Sequence, residues 1–276
     1  MPTDIKKTRE FLEKLYKKYN HKENISPDPL QFVYKYKKPA DMEIVALLSA
    51  MLAYGRVAQI GKSLTNLFAR IGENPFDFVV NFNKTKRDRL TDFKHRFNVG
   101  NDISDLLASL KYFLNKHGSI EKFFLTGYSS KDENIIPALT IFCHKLLDAD
   151  ASKNDGQVST GLKYLLTDPA RASACKRLNL FLRWMVRGDD VDTGLWKSVD
   201  KAKLIIPMDV HMSRISGILK FHQQKSISLS TAVKVTEKFA EIQPTDPVKY
   251  DFTLCRIGMS SNIGDLNMLC SHISNP

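Results

Sequence analysis

Apolar residues recur along this chain at intervals of three and four, which places them on one face of an α-helix. Residues 4–19 show this spacing, with lysines and glutamates on the opposite face. From Met42 to Tyr54 the apolar run is almost continuous, so we expect a helix that is buried all round and capped by Asp41. We find no convincing alternation of apolar and polar residues of the kind that predicts a β-strand. The pattern therefore predicts an all-α fold.

Downstream segments repeat the helical spacing and are separated by glycine, proline and polar turns. Residues 148–161 are polar and turn-rich, and we expect a loop there. Helices are predicted from Val57 to Gly72, from Asp102 to Gly118, from Ile135 to Leu147, near 229–241 and near 247–258, the last with Asp246 as its N-cap.

The excess of basic residues favours one class of function, nucleic-acid binding. Lys and Arg number 41 against 30 Asp and Glu, which gives a formal net charge of +11 and a pI near 9.4. A nucleic-acid-binding protein gains affinity and association rate from such an excess, whereas an enzyme of small molecules does not need it. The clearest basic run is Lys84 to Arg89, followed by His95 and Arg96. This run is either a solvated face or a surface that follows a phosphate backbone.

Cysteine and histidine usage argues against a bound metal. The seven histidines include no H-E-x-x-H, and no C-x-x-C pair occurs among Cys143, Cys175, Cys255 and Cys270. We therefore expect no zinc, no iron–sulfur cluster and no other cofactor. The N-terminus lacks the apolar segment of a signal peptide, and no run reaches a membrane-spanning length. We expect a cytoplasmic protein that does not contact a membrane.

The sharpest chemical hypothesis concerns Lys176, at the start of an apolar helix. The same helical face continues with Asn179, Arg183 and Arg187, and we expect this polar stripe to face outward or into a groove. Neighbouring cations and partial burial favour the neutral amine, which is the form that attacks carbon. A solvated basic face is the commoner role of such a stripe, and this helix alone favours that role over a nucleophile.

A carboxylate, Asp209, follows Pro207 and precedes another apolar helix. Aspartate is a favourable N-cap, and the backbone amides that bind its carboxylate also keep it ionised. His211 and Arg214 fall within the first two turns of this helix, where they are either surface residues or phosphate ligands. If the two helices pack side by side, the Lys176 amine and the Asp209 carboxylate face one cleft.

Three segments carry a resemblance to a known group of enzymes. Ile206-Pro-Met-Asp-Val-His-Met-Ser-Arg-Ile resembles the glycine/proline–aspartate loop of the helix-hairpin-helix DNA glycosylase superfamily, and Cys175-Lys-Arg-Leu-Asn resembles its second hairpin helix. Glu43-Ile-Val-Ala-Leu-Leu-Ser is similar to its early buried helix, and the order along the chain is the same. The whole chain is more similar still to a bacterial family of uncharacterised proteins that carries the run Ser173-Ala-Cys-Lys-Arg-Leu-Asn.

The resemblance implies a fold and a function. The fold is two packed helical subdomains with a cleft between them, one from residues 1–40 and 162–276 and the other from 41–161. The function is that of a monomeric base-excision-repair glycosylase on duplex DNA with a damaged base or an abasic site. Lys176 would attack the sugar and cleave the strand through a Schiff base, while Asp209 stabilises the positive charge on the sugar. The residues expected to contact DNA are Ser173, Ala174, Arg177, His211 and Arg214.

The sequence also departs from the superfamily pattern. The turn before Lys176 reads Pro169-Ala-Arg-Ala-Ser-Ala-Cys and has no glycine where the superfamily has Gly-x-Gly. Asp209 lies 33 positions after Lys176, further than in most members. An archaeal branch that acts on 8-oxoguanine looks comparable in this spacing, which points to an oxidised purine.

Two other functions remain open at the level of sequence. The main alternative is a non-catalytic nucleic-acid-binding protein that keeps the glycosylase-like fold. A helical protein that acts on RNA or free nucleosides is supported by the positive charge alone. Of the two tryptophans, we expect Trp184 to pack in the core and Trp196 either to pack or to contact a ligand.

Overall fold

The computed structural model describes residues 5–152, 156–224 and 226–259. It is mostly helical, which confirms the all-α prediction. No helix in these ranges is both long and apolar enough to cross a bilayer. The helices are α1 (Ile5–Tyr19), α2 (Pro39–Met51), α3 (Val57–Ile71), α4 (Pro75–Val80), α5 (Lys84–Asp88), α6 (Gly100–His117), α7 (Ile120–Leu125), α8 (Ile136–Ala151), α9 (Thr160–Leu165), α10 (Lys176–Val186), α11 (Val210–Ile218), α12 (Leu229–Ile242) and α13 (Asp251–Met259).

One hairpin of two short antiparallel strands was not expected from the sequence. Strand β1 (Lys94–His95) pairs with β2 (Asn98–Val99), in the register Lys94 with Val99 and His95 with Asn98. Two residues per strand are too few for an alternating pattern to be recognised.

The chain divides into two compact units. Unit 1 contains the described parts of Met1–Asn24, Glu133–Ile135 and Ala172–Pro276, and unit 2 contains those of Ile25–Asp132 and Ile136–Arg171. The sequence-based division was drawn after residues 40 and 161 instead. Helices α1 and α10–α13 belong to unit 1, and the hairpin and α2–α9 belong to unit 2.

Unit 2 is built around α2. Every residue from Ile44 to Met51 is fully buried, which confirms the prediction of a helix buried all round. The predicted start was wrong, because the helix begins at Pro39 and the preceding Lys38 is extended. Asp41 does not cap α2; its carboxylate accepts a hydrogen bond from the Phe76 backbone N–H at 2.8 Å.

The boundaries of α6, α8, α9 and α13 also differ from those predicted. Helix α6 begins at Gly100, and Asp102 reaches back to accept the Val99 N–H at 2.9 Å. The predicted loop 148–161 is partly helical, since α8 runs to Ala151 and α9 starts at Thr160; residues 153–155 lie outside the described ranges. Helix α13 starts at Asp251 and not near residue 247, as predicted.

Within unit 1, α11 packs against α13, and α1 contacts the residues just before α13. A side chain at Gly258 would meet Ile215 Cδ1 at 2.9 Å, so glycine permits the close approach of α13 to α11. The Glu13 carboxylate of α1 accepts hydrogen bonds from Lys249 Nζ at 2.6 Å and from the Tyr250 hydroxyl at 2.7 Å. These contacts fix α13 between its neighbours, next to the candidate site.

Candidate active site

Lys176 and Asp209 form an ion pair within unit 1. The Lys176 Nζ atom lies 2.9 Å from Asp209 Oδ2, and the two side chains are 35% and 18% exposed. Lys176 is the first residue of α10 and Asp209 is the N-cap of α11. The pair therefore joins the N-terminal ends of two helices and keeps access to solvent.

The cap geometry leaves one carboxylate oxygen of Asp209 for the lysine. Oδ1 accepts the backbone N–H groups of His211 and Met212, both at 2.9 Å. These bonds satisfy two free donors of the first turn of α11 and hold the carboxylate in place. Oδ2 then points to Lys176.

Mutual attraction sets the charges of the pair. Burial disfavours the charged Lys176 amine, but the Asp209 carboxylate outweighs this and raises the pKa of Lys176 above its ordinary 10.5. Burial likewise disfavours the Asp209 anion, but Lys176 and the Met212 N–H lower the pKa of Asp209 below 3.8. The prediction of a neutral amine was therefore wrong, because the sequence does not show that the carboxylate contacts the amine.

The turn before Lys176 adopts left-handed backbone conformations without glycine. Ala172 has φ 59° and Cys175 has φ 46°, in the region that favours glycine. The Ser173 hydroxyl accepts the Cys175 N–H at 3.4 Å, and the carbonyl of the buried Ala174 accepts Asn179 Nδ2 at 3.1 Å. The chain thus forms the turn at the cost of strain, held by these local hydrogen bonds.

The polar stripe after Lys176 is buried, which corrects the prediction that it faces outward or into a groove. Asn179, Arg183 and Arg187 are each 2% exposed. One property of the sequence indicates this burial. Arg183 and Arg187 lie among apolar residues, and buried arginines need carboxylate partners.

Those partners come from aspartates after α10. Arg183 contacts Asp192 at 3.2 Å and makes a very short contact with Asp251, the first residue of α13. Asp246, the predicted N-cap of α13, instead binds Arg187 Nε at 3.0 Å. Arg187 also contacts Asp189 and Asp192. The segment between α10 and α11 supplies Asp189 and Asp192, and the chain at the start of α13 supplies Asp246 and Asp251, so both provide countercharges for the buried arginines.

Helix α13 brings two further groups within electrostatic reach of the pair. Asp251 and Cys255 both interact with Lys176 and Asp209. The Cys255 thiol donates to Asp251 Oδ1 at 3.6 Å, and desolvation raises the pKa of this thiol, so it is held neutral. Asp251 was not predicted from the sequence, because no local pattern indicates its contact with Arg183.

The remaining predicted residues differ in their exposure and in their contacts. His211 Nδ1 and Arg214 Nη2 both contact the Gly258 carbonyl, at 3.1 and 2.9 Å, so both side chains are committed to the end of α13. Ser173 and Arg177 are partly exposed beside Lys176. Trp184 and Trp196 are 0% and 1% exposed, and Trp196 packs edge-on against Phe181. Both tryptophans are therefore core residues.

Only one group of side chains in the described ranges has the composition and spacing of metal ligands. It consists of His21, Glu23 and Asp190, whose ligand atoms lie within 4.8 Å of one another and which are all exposed. His21 Nδ1 lies 3.3 Å from Asp190 Oδ2, as in an ordinary surface ion pair. Cys270 lies outside the described residues.

Comparison with known proteins identifies a family without a recorded activity. A search of curated proteins and a search of solved structures each gave no match. Residues 28–260 match the family model described as "Protein of unknown function (DUF2400)", a span that covers the pair and nearly all described elements. The chain belongs to this DUF2400 family.

Proposed function

We propose that this protein is a DNA glycosylase with AP lyase activity, acting on duplex DNA that contains a damaged base or an abasic site. The observation that carries the proposal is the Lys176–Asp209 pair, an amine and a carboxylate 2.9 Å apart at two helix starts and accessible to solvent. The net charge of +11 suits a polyanionic substrate.

The first chemical step requires the lysine to lose a proton. Lys176 is protonated at rest, and Asp209 Oδ2 is the adjacent base that can accept a proton when substrate binds and pass it to water. The neutral Nζ then forms a bond to the sugar C1′. The bond from C1′ to the base breaks with its electron pair on the base, which is protonated as it leaves.

The later steps follow from the covalent intermediate. Opening of the sugar ring converts the C1′–Nζ linkage into a protonated Schiff base, which favours elimination of the 3′ phosphate and strand cleavage. The Asp209 carboxylate stabilises the positive charge that develops on the sugar, as carboxylates do in glycoside hydrolysis. An oxidised purine is the substrate that the spacing of the two residues suggests.

The finer fold assignment belongs to the same proposal. The turn from Ala172 to Cys175 followed by a helix that starts at Lys176 supports a helix-hairpin-helix arrangement, and its left-handed residues suit a tight turn without glycine. Ser173 and Arg177, which are partly exposed, are the DNA contacts in this arrangement, and Ala174 fits the role less well because it is buried. His211 and Arg214 fit the role less well, because both already bind the Gly258 carbonyl. The extruded nucleotide would enter the site at the Lys176–Asp209 pair.

Borohydride trapping tests the proposal. Duplexes with an abasic site or with 8-oxoguanine are incubated with protein and sodium borohydride, which reduces a Schiff base to a stable covalent adduct. We expect an adduct with the natural protein and with Lys234→Ala, which removes an exposed lysine on α12, and none with Lys176→Ala. An adduct that survives Lys176→Ala would reject Lys176 as the nucleophile.

A non-catalytic nucleic-acid-binding protein is the second candidate. It is favoured by the raised pKa of Lys176, because an amine that keeps its proton beside Asp209 does not attack carbon. In that case no lesion gives an adduct, while duplex DNA binds with an affinity that falls as salt is raised.

A further inference from the structure

The hairpin of unit 2 presents an aromatic residue to solvent at its tip. Because His95 pairs with Asn98, the turn consists of Arg96 and Phe97 alone. Phe97 is 69% exposed, an unusual position for a large apolar side chain. An exposed phenylalanine ring loses the free energy that burial would provide. A ring held in this way on a two-residue turn is therefore a candidate binding residue.

The base of the hairpin is held by buried hydrogen bonds. His95 is fully buried, with Nδ1 2.9 Å from Ser63 Oγ and Nε2 3.1 Å from the Tyr54 carbonyl. Asn98 is also buried and donates to Asp102 Oδ2 and to the Gly161 carbonyl, both at 3.1 Å. These bonds tie the strands to the unit on both sides, so the turn residues have a fixed position.

The tip belongs to a cluster of rings and a guanidinium. The ring centroids of Phe97 and Tyr164 are 5.9 Å apart, and those of Tyr164 and Tyr54 are 5.3 Å apart. The Arg96 guanidinium lies over the Phe97 ring at 5.4 Å and over the Tyr54 ring at 6.0 Å. Tyr164 is 40% exposed, so two rings and one cation of the cluster reach solvent.

Arg96 is kept in this place against its backbone preference. Its φ of 54° favours glycine, and an arginine there is strained. A Cβ at Gly55 would lie 2.7 Å from Arg96 Cδ and Nη1, so the absence of a side chain at Gly55 makes room for the arginine. Gly55, whose own φ of 96° also favours glycine, thus leaves room for the Arg96 side chain beside the exposed rings.

We propose that this tip, formed by Arg96, Phe97 and Tyr164, binds single-stranded nucleic acid by stacking an unpaired base on Phe97. Aromatic platforms beside cations are the means by which proteins bind such strands without reading their sequence. Exposed cations flank the tip in the chain, with Arg56 next to Gly55, Lys94 on β1 and Lys163 next to Tyr164. This local charge favours a phosphate backbone over an apolar protein partner.

The inference is independent of the proposed glycosylase activity. All of its residues belong to unit 2, whereas Lys176 and Asp209 belong to unit 1. An undamaged oligonucleotide serves as the probe, so a failure of Schiff-base trapping leaves the result interpretable, and a failure of stacking leaves the trapping experiment unaffected.

Phe97→Trp supplies a direct reporter. The natural tryptophans, Trp184 and Trp196, are buried, so an indole at position 97 gives a separate, solvent-exposed emission. Titration with a twelve-residue oligothymidylate should quench this emission to saturation, because the bases stack on the indole. Inorganic polyphosphate, which has the charge but no bases, should not quench it. In the matched control Tyr112→Trp, at a 55% exposed aromatic position on α6, neither probe should quench the added indole.

Affinity measurements complete the test. Phe97→Ala should weaken oligothymidylate binding about 5- to 100-fold, the effect typical of one stacked base, while Tyr112→Ala should not. Phe97→Leu keeps apolar surface but not the ring, and it should bind nearly as weakly as Phe97→Ala. Unchanged melting temperatures establish that the variants fold. Quenching by polyphosphate, equal affinity of Phe97→Ala and the natural protein, or full affinity of Phe97→Leu would each overturn the proposal, the last in favour of an apolar docking contact.

Discussion

The Lys176 amine and the Asp209 carboxylate lie 2.9 Å apart because each is fixed by the start of a different helix. Asp209 uses one oxygen to cap α11 and the other to bind Lys176. The carboxylate therefore has a structural role and an electrostatic role that different substitutions can separate.

Asp209→Asn should leave the cap but remove the charge. The asparagine side-chain oxygen still accepts the His211 and Met212 N–H groups, so only the partly exposed ion pair is lost, at a cost of about 1 kcal/mol. Asp209→Ala removes the cap as well and should cost roughly 1 kcal/mol more. Urea denaturation of the two variants measures the difference. Equal stabilities of Asn and Ala variants would contradict the capping role.

The same pair should give the stability a defined pH dependence. The pKa of Asp209 is lowered in the folded state, so its stabilising contribution is present above 3.8 and is lost as pH falls through the folded value. The pKa of Lys176 is raised, so its contribution is present below 10.5 and is lost as pH rises through the folded value. We expect the stability difference between the natural protein and Asp209→Asn to be constant from about pH 5 to 9 and to shrink on both sides. A difference that stays constant into acid would show that the carboxylate is not held ionised by the lysine.

The buried arginines of α10 should matter far more for stability than surface charges do. Arg183→Met leaves Asp192 and Asp251 without one of their cations in a buried setting, and we expect a loss of about 3–5 kcal/mol. Lys238→Met breaks the Lys238–Glu241 pair, in which both side chains are 47% exposed, and should cost at most about 1 kcal/mol. Denaturant midpoints of the two variants provide the comparison, and similar losses would mean that the Arg183 network contributes no more than a surface pair.

Much of the fold follows from the sequence, because helix formation depends on local spacing. The buried helix α2 and the bounds of α3, which runs from Val57 to Ile71 and is followed by Gly72, could be predicted from apolar periodicity and a terminal glycine. The partners of Asp41 and Asp246 could not, because each carboxylate binds a group far away in the chain that no local pattern identifies.

The candidate site shows the same division. Lys176 and Asp209 could be selected from their motifs, and the N-cap role of Asp209 followed from its position before an apolar helix. The protonated state of the lysine, the burial of Arg183 and the part played by Asp251 depend on contacts between α10, α11 and α13. Those contacts are tertiary, so residue type and spacing did not reveal them.

The glycine-free turn before Lys176 predicts a stabilising substitution. Ala172 is exposed and has φ 59°, so its side chain gains little from packing and strains the backbone by about 1–2 kcal/mol. Ala172→Gly removes this strain, but the greater entropy of the unfolded chain offsets it by about 0.4–1 kcal/mol, which leaves a net gain of up to about 1.6 kcal/mol. Thermal unfolding should show a rise in Tm of about 3–6 °C at the upper end. Ala170→Gly, at an exposed position two residues earlier in a 3-10 helix, is the matched control and should instead destabilise by about 0.5–1 kcal/mol. If both glycines destabilise equally, Ala172 does not have the left-handed conformation on which the proposed hairpin depends.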